Sequence, residues 1–265
     1  MASVELTRAA LAFDRIADAF DDRFRPWQSV AAQRRSVRSE LLDAFAPGAS
    51  IVEIGGGTGE DALWLADNGR RVLLTDVSPR MVQRARAKFA GRPELRAEVA
   101  AAETIDLGGE RFDGAFSNFA ALNCVDDLAP VARGLAKLVR PGGAVVLVVF
   151  GTFCPAEWIV EAVRHRPSAM VRRFRRGAVP ARLSGSNFCV RYFTARELTS
   201  AMAPWFDHAG QRGIGVFVPP SAAEPWISGR PRLLSTLEAL DERLSRPLAV
   251  LGDHVLHRFV RRSDA

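Results

Sequence analysis

Residues 51–59 read Ile51-Val52-Glu53-Ile54-Gly55-Gly56-Gly57-Thr58-Gly59. An apolar run short enough to be a strand breaks into glycines, and residues 61–68 then open a helix that stops at Gly69. Glycine has no Cβ, so it suits a chain that must turn sharply and let a ligand approach the backbone. The next strand is Arg71-Val72-Leu73-Leu74-Thr75-Asp76. Asp76 ends it about 20 residues beyond the first glycine, where an acid can grip a ribose diol.

Outward from this turn, strand and helix signals alternate. Ser78-Pro79 starts a helix with proline in its first turn, running to about Ala90. Residues 95–99 and 112–117 read as strands, and residues 127–139 as a helix ended by Pro141-Gly142-Gly143. Residues 144–150 are continuously apolar, as a central parallel strand should be. This alternation predicts an α/β, Rossmann-like, doubly wound sheet.

The flanks depart from it. Residues 1–46 read as helical, with apolar residues at Leu11, Ile16 and Phe20 and again at Val37, Leu41, Leu42 and Phe45, interrupted by Pro26. Residues 152–190 are an arginine-rich excursion, and Thr194 to Glu197 is a capping box. Residues 206–218 read as a sixth strand and 254–261 as a seventh. Between them a mostly helical stretch sets Leu233, Leu234, Leu237, Leu240 and Leu244 on one face. The expected organisation is an N-terminal helical lid (1–46), a ligand-binding core (47–151), an arginine-rich lid insertion (152–193), a helix and strand (194–218), a helical insertion (219–252), and a strand with tail (253–265).

The chain has 265 residues, 48% hydrophobic and 25% charged, which fits one large globular domain and excludes disorder or a coiled coil. Cys124, Cys154 and Cys189 are too few and too scattered for a disulfide framework or a zinc site. With no signal-peptide pattern and no apolar run of about 18 residues, the expected location is the reduced cytoplasm. The net charge is +6, but only Lys88 and Lys137 among 36 basic residues are lysines, a bias that reflects codon usage. Residues 160–193 nonetheless concentrate eight arginines against one acid, Glu161. Two readings stay open: a solvated helix face, or a docking surface for an anionic substrate or acidic carrier protein. The segment contains no recognisable nucleic-acid module.

Two nucleotide-type ligands compete for the glycine turn. Gly57-Thr58-Gly59-Glu60-Asp61-Ala62 fits a dinucleotide pattern, which needs a pyrophosphate at the helix N-terminus. Glu60 and Asp61 sit there and would repel it. A sulfonium cofactor brings no phosphate, and Glu53 suits its ammonium group. The electrostatics favour S-adenosylmethionine (SAM) over a nicotinamide cofactor.

Residues 50–150 resemble the core of class I SAM-dependent methyltransferases. The motifs are IVEIGGGTG, LLTDVSPRM, AAETIDL, RFDGAFSNFAAL and LVRPGGAVVLVVF, in the family's order and spacing. The resemblance implies a seven-stranded sheet of order 3-2-1-4-5-7-6 with strand 7 antiparallel. It implies that Glu53 contacts the methionine amino group, that Gly55 and Gly57 line the methionine and ribose, and that Asp76 binds the ribose hydroxyls. Val77 and Met81 would flank the adenine, with Ala102 and Glu103 at its edge, and Asn118 and Phe119 would sit near the transferable methyl. Relatives often have Asp-Ala where this chain has Ala101-Ala102, so the usual side-chain acceptor for the adenine amino group is in doubt. Residues 12–17 resemble the family's lid helix, which would bring Phe20 over the cofactor.

The expected reaction is in-line methyl transfer, leaving S-adenosylhomocysteine, onto a small lipophilic or aromatic acceptor. The excursions, with Phe153, Trp158, Phe174, Phe188, Trp205, Pro219, Pro220 and Trp226, would frame its pocket. Candidate bases are His254 (beside Asp253), His208, His165 and Tyr192. No histidine pair has metal-ligand spacing, so no metal is expected. A SAM-binding module without turnover, an aminopropyl transferase of the same fold, and a homodimer formed through the excursions stay open.

Overall fold

The computed structural model describes residues 7–119 and 121–263. The first six residues of the N-terminal segment, Ala120 of the fourth motif and the last two residues lie outside them. Seven strands form one sheet: β1 (Ser50–Ile54), β2 (Arg71–Asp76), β3 (Leu95–Val99), β4 (Phe112–Ser117), β5 (Val139–Phe150), β8 (Phe206–Ile214) and β9 (His254–Arg261). The order is β3-β2-β1-β4-β5-β9-β8, with β9 antiparallel to both neighbours. This is the order 3-2-1-4-5-7-6 that the motifs imply.

Apolar residues on both faces of the central strands oblige helices to cover both. On one face lie α3 (Gln28–Ala44), α4 (Glu60–Asp67) and α5 (Pro79–Lys88), burying Leu41, Phe45, Leu65 and Val82. On the other lie α6 (Leu128–Leu138) and α9 (Ala195–Met202), burying Val131, Leu135, Leu198 and Met202. Thr194 and Glu197 complete the capping box that opens α9.

Two short helices, α1 (Arg8–Ile16) and α2 (Phe20–Phe24), precede α3 and cross the ends of the parallel strands. Asp14 Oδ1 accepts from Ser78 Oγ (2.8 Å) and Arg80 N (3.0 Å), and Asp21 takes Thr58 Oγ1 (2.6 Å) and pairs with Lys88 (2.6 Å). These bonds tie α1 to the start of α5, and α2 to the glycine turn.

The insertions differ from the sequence reading. In residues 152–193, read from sequence only as an arginine-rich excursion, α7 (Pro155–Val163) and α8 (Pro167–Met170) lead into a hairpin of β6 (Val179–Leu183) and β7 (Ser186–Val190). Ser184 and Gly185 both have positive φ, the conformation of a tight hairpin turn. The sixth strand ends at Ile214 rather than 218. Gly215 turns the chain at φ 68°, and Asp241 of α10 (Pro231–Leu244) takes the freed N–H groups of Phe217 and Val218. Val218 stays buried by packing with Ala32 and Ile227, not by sheet pairing. On α10, Leu234 is buried whereas Leu233 and Leu244 are exposed, so the leucine face is only partly covered.

Candidate active site

A crevice outside the carboxyl ends of parallel strands is where open α/β sheets take ligands. Here it is a cavity of about 340 Å³. Its walls are the glycine turn, the ends of β1, β2, β4 and β5, helices α1 and α2, and the β6–β7 hairpin. All the cofactor candidates line it: Phe20, Glu53, Gly55, Gly57, Asp76, Val77, Met81, Ala102, Glu103, Asn118 and Phe119.

Gly55 and Gly57 have φ of 68° and 56°, and a Cβ at Gly55 would stand 2.3 Å from the Ala121 Cβ. Glycine is therefore required on both counts. Asp76 braces the turn: Gly57 N donates to Oδ2 (2.9 Å) and Ser78 N to Oδ1 (2.8 Å). Each oxygen keeps a lone pair for a ligand hydroxyl. Burial raises the Asp76 carboxyl above its usual range against these two bonds.

Glu53 is buried at the end of β1, and its Oε2 has no hydrogen-bond partner among the described residues. Burial, reinforced by the nearby Asp61 carboxylate, pushes its pKa well up. An orphaned buried acceptor in a cavity wall is a place where a ligand cation would be stabilised.

Opposite is a charge network the sequence reading missed. Asp61 Oδ1 accepts from Arg38 Nε (2.8 Å) and lies 3.6 Å from Arg34 Nε, and Asp61 Oδ2 accepts from Asn118 Nδ2 (2.8 Å). Burial works against the charge of Asp61, but Arg34 and Arg38 hold its pKa low. Arg34 lines the cavity, and its Nε is buried without a hydrogen bond. Arginines at positions 34 and 38 share one helix face, but nothing local in the sequence pairs that face with Asp61.

This network corrects the electrostatic reading of the α4 N-terminus. Glu60 is paired with Lys88 (2.6 Å) and Asp61 with Arg38, so neither is a free repelling carboxylate. The choice of cofactor rests instead on Glu53 and on the family motifs.

Phe119 adopts φ 44°, unusual for an aromatic residue. Its ring lies 5.2 Å from the Arg34 guanidinium and meets His254 edge-on at 5.5 Å. Another part of the cavity wall is apolar, formed by Phe13, Val125, Phe150, Phe188, Val190 and Tyr192, with Arg172, paired to Glu157, beside them. Of the aromatic and proline residues expected there from the excursions, Phe188 lines the cavity. Phe153, Trp158, Phe174, Trp205, Pro219, Pro220 and Trp226 do not. The 219–252 insertion packs instead against α3, through Ala32, and against Val160 of α7.

The base candidates fare differently. His208 lies near the start of β8, paired in register with Phe259 and 3.3 Å from His257, at the opposite end of the sheet from the cavity. His165 is exposed and outside the cavity wall. His254 is buried behind Phe150, stacked on its ring at 4.9 Å, with Nδ1 3.5 Å from Asp253. Burial holds His254 neutral by lowering its pKa against the pull of Asp253. Tyr192 does line the cavity, but burial raises its pKa. Cys124, also in the wall, is pushed up to about 12 by burial.

A methyltransferase-domain family model matches residues 51–143. A malonyl-(acyl-carrier protein) O-methyltransferase from Enterobacter lignolyticus is 30% identical over 192 residues, covering 70% of each chain. The chain belongs to the class I SAM-dependent methyltransferases. A second relative of the same name, from Pseudescherichia vulneris, is 31% identical over 154 residues, so the match spans 57% of either chain. The CcbJ methyltransferase from Streptomyces caelestis superimposes with a TM-score of 0.63 at 17% identity, over 98% of this chain and 100% of that one, and shares the fold. SAM supplies an activated methyl group on a sulfonium. In this methyltransferase the orphaned Glu53 oxygen, the open backbone at Gly57 and the braced Asp76 fit its amino acid and ribose. Among the described residues, no cluster of three or more histidines, cysteines or acids is placed to hold a metal ion.

Proposed function

We propose that this methyltransferase transfers the methyl group of SAM to the carboxylate oxygen of a small, largely apolar acceptor. The carrying observation is the composition of the apolar wall, taken here as the acceptor end. Arg172 stands there with Nη2 paired to Glu157, which leaves its other guanidinium nitrogens for an acceptor oxygen, no histidine lines the cavity, and Tyr192 and Cys124 are both held protonated. A phenol, alcohol or amide would need a base. A carboxylate is already ionised at neutral pH and needs none.

In this reading Glu53 holds the ammonium of SAM, Asp76 the ribose hydroxyls, and Arg34 the methionine carboxylate. Val77 and Met81 flank the adenine, with Ala102 and Glu103 at its edge. Phe20 and the α1–α2 lid exclude water. Arg172 holds one acceptor oxygen while the other attacks the methyl carbon in line. The new O–C bond forms as the C–S bond breaks, and that electron pair passes to sulfur. The products are a methyl ester and S-adenosylhomocysteine. Opposite charges are annihilated along this path, so an apolar wall favours it, and positioning supplies much of the rate. The relatives named as malonyl-(acyl-carrier protein) O-methyltransferases support a carboxylate acceptor, and they support its delivery as a carrier-bound thioester.

The test is methyl-labelled SAM with matched acyl carboxylates, alcohols and phenols. The expected product is alkali-labile label on the carboxylate alone, at a rate flat between pH 6 and 9. Alkali-stable label, or a rate that climbs with pH, would sink the assignment.

A further inference from the structure

Helix α7 buries both of its acids while leaving two of its apolar residues in solvent. Its two acids, Glu157 and Glu161, are 1% and 4% exposed, whereas Ile159 and Val163 are 67% and 74% exposed. Amphipathic surface helices ordinarily do the reverse. The cause lies in the segment after it. Arg173 is buried and donates to Glu157, to the Gly151 and Asp253 carbonyls and to Asp253 Oδ1, and Arg172 and Arg166 take the outer sides of Glu157 and Glu161. Pointing the acids inward commits Ile159 and Val163 to solvent.

Exposed apolar side chains recur beyond α7. Val171 and Phe174 are half exposed, and Phe174 packs with Phe153 and Trp158, at centroid distances of 6.2 and 5.8 Å. The same segment carries Arg164, Arg166, Arg175 and Arg176, all exposed. The segment's acids are consumed inside. The segment thus presents exposed apolar side chains together with exposed arginines, the complement of an acidic partner with an apolar contact. Arg172 belongs to this segment and also lines the cavity. A lipid surface would match the charge equally well, but the shared border with the cavity decides between them. An acceptor tethered to its carrier can be delivered only from a surface beside the mouth.

We infer that the exposed face of α7 and the Arg172–Arg176 turn dock an acidic protein that carries the acceptor. This rests on the carboxylate reading above for its chemistry, but not for its binding test. The probe is a purified acidic acyl carrier protein, labelled and without acceptor, titrated with the methyltransferase at low salt. Ile159→Ser with Val163→Ser, and separately Arg175→Glu with Arg176→Glu, are exposed changes that should leave the melting temperature unmoved. Each pair is expected to weaken binding at least tenfold. With a malonyl thioester on that carrier, KM should rise by the same factor, while turnover of the free short-chain thioester stays within twofold.

No binding by the unaltered protein, or binding untouched by both pairs, overturns the docking face. So does an equal loss on carrier-bound and free thioester. Flotation with phosphatidylglycerol vesicles but no carrier binding would assign the face to lipid, and a dimer that dissociates in the Ile159/Val163 variant would assign it to a second copy. Carrier binding lost in the variants, with neither thioester methylated, would sustain the docking face and sink the carboxylate acceptor instead.

Discussion

Neighbouring residues of α3 serve two buried ion clusters of opposite character. Arg34 faces Asp61 beside the cavity, and Gln33 donates to Asp253 (3.2 Å) in the cluster centred on Arg173. At Arg173 the guanidinium itself is complete, since every arm has a carboxylate or carbonyl partner, although His254 Nδ1 beside Asp253 has no hydrogen bond among the described residues. The cavity cluster is left short at Arg34 Nε and at Glu53 Oε2. Identical side-chain chemistry therefore does two jobs. A satisfied cluster holds a fold, and an unsatisfied one beside a cavity waits for a ligand.

The largest effect should come from breaking the Arg173 cluster. Arg173→Met leaves buried Glu157 with Arg172 alone and buried Asp253 with Gln33 and His254 alone, and losses from breaking buried pairs run to about 3–5 kcal/mol. Denaturant unfolding at pH 7 checks this. A loss below about 1 kcal/mol would mean that the cluster is not what holds the insertion.

The incomplete cluster should respond with the opposite sign. Burial raises the Glu53 pKa in the folded state, so its charge destabilises the ligand-free protein once pH rises above the usual glutamate range. Glu53→Gln should then stabilise the ligand-free protein at pH 7, by about 0.5–2 kcal/mol, with the gain shrinking toward pH 4.5. The same change should weaken S-adenosylhomocysteine at least tenfold by titration calorimetry. A destabilised variant with unchanged affinity would put Glu53 among the structural acids.

The smallest effect separates the two ends of one ligand. Arg34→Gln should weaken S-adenosylhomocysteine about tenfold, equivalent to about 1.4 kcal/mol. It should leave methylthioadenosine, which lacks the amino acid, within twofold. Equal loss on both would show that Arg34 acts by shaping Phe119 and the wall instead.

The sheet order and one wall of the cavity were legible because their signals are local. A glycine turn between strand and helix, and an acid ending the next strand, each fit within one motif, so Glu53, Gly57 and Asp76 were singled out, and all three line the cavity. Arg34 was not, because its partner Asp61 is brought to it by the packing of α3 on α4. The hairpin was obscured by its arginines, although Ser184-Gly185 between alternating apolar residues is a turn signal. His208 failed as a base because strand direction, not residue type, puts it at the far end of the sheet. The burial of both α7 acids was illegible in principle: the helix's apolar spacing is ordinary, and only the arrival of Arg173 decides which side faces in.

Asn123 is fully buried, and it accepts from Phe150 N through Oδ1 (2.9 Å) while holding both backbone groups of Arg191. With Arg173 it brackets the hairpin. The cavity-facing Ala181, Phe188 and Val190 lie between these two fixings, and neither fixing draws on them. The stretch from 174 to 190 is thus held at both ends by parts of the molecule that stay behind, and between them it lies against the lid helices, through Phe188 on Phe13 and through Ser186 and Ser184 to Arg15 and Arg23. Exchanging it wholesale would redraw the hairpin side of the cavity and, with Arg175 and Arg176, part of the proposed docking face, while leaving the glycine turn, the Arg173 cluster and the sheet as they are, which makes the hairpin together with its lid helices the natural unit for diversifying this enzyme.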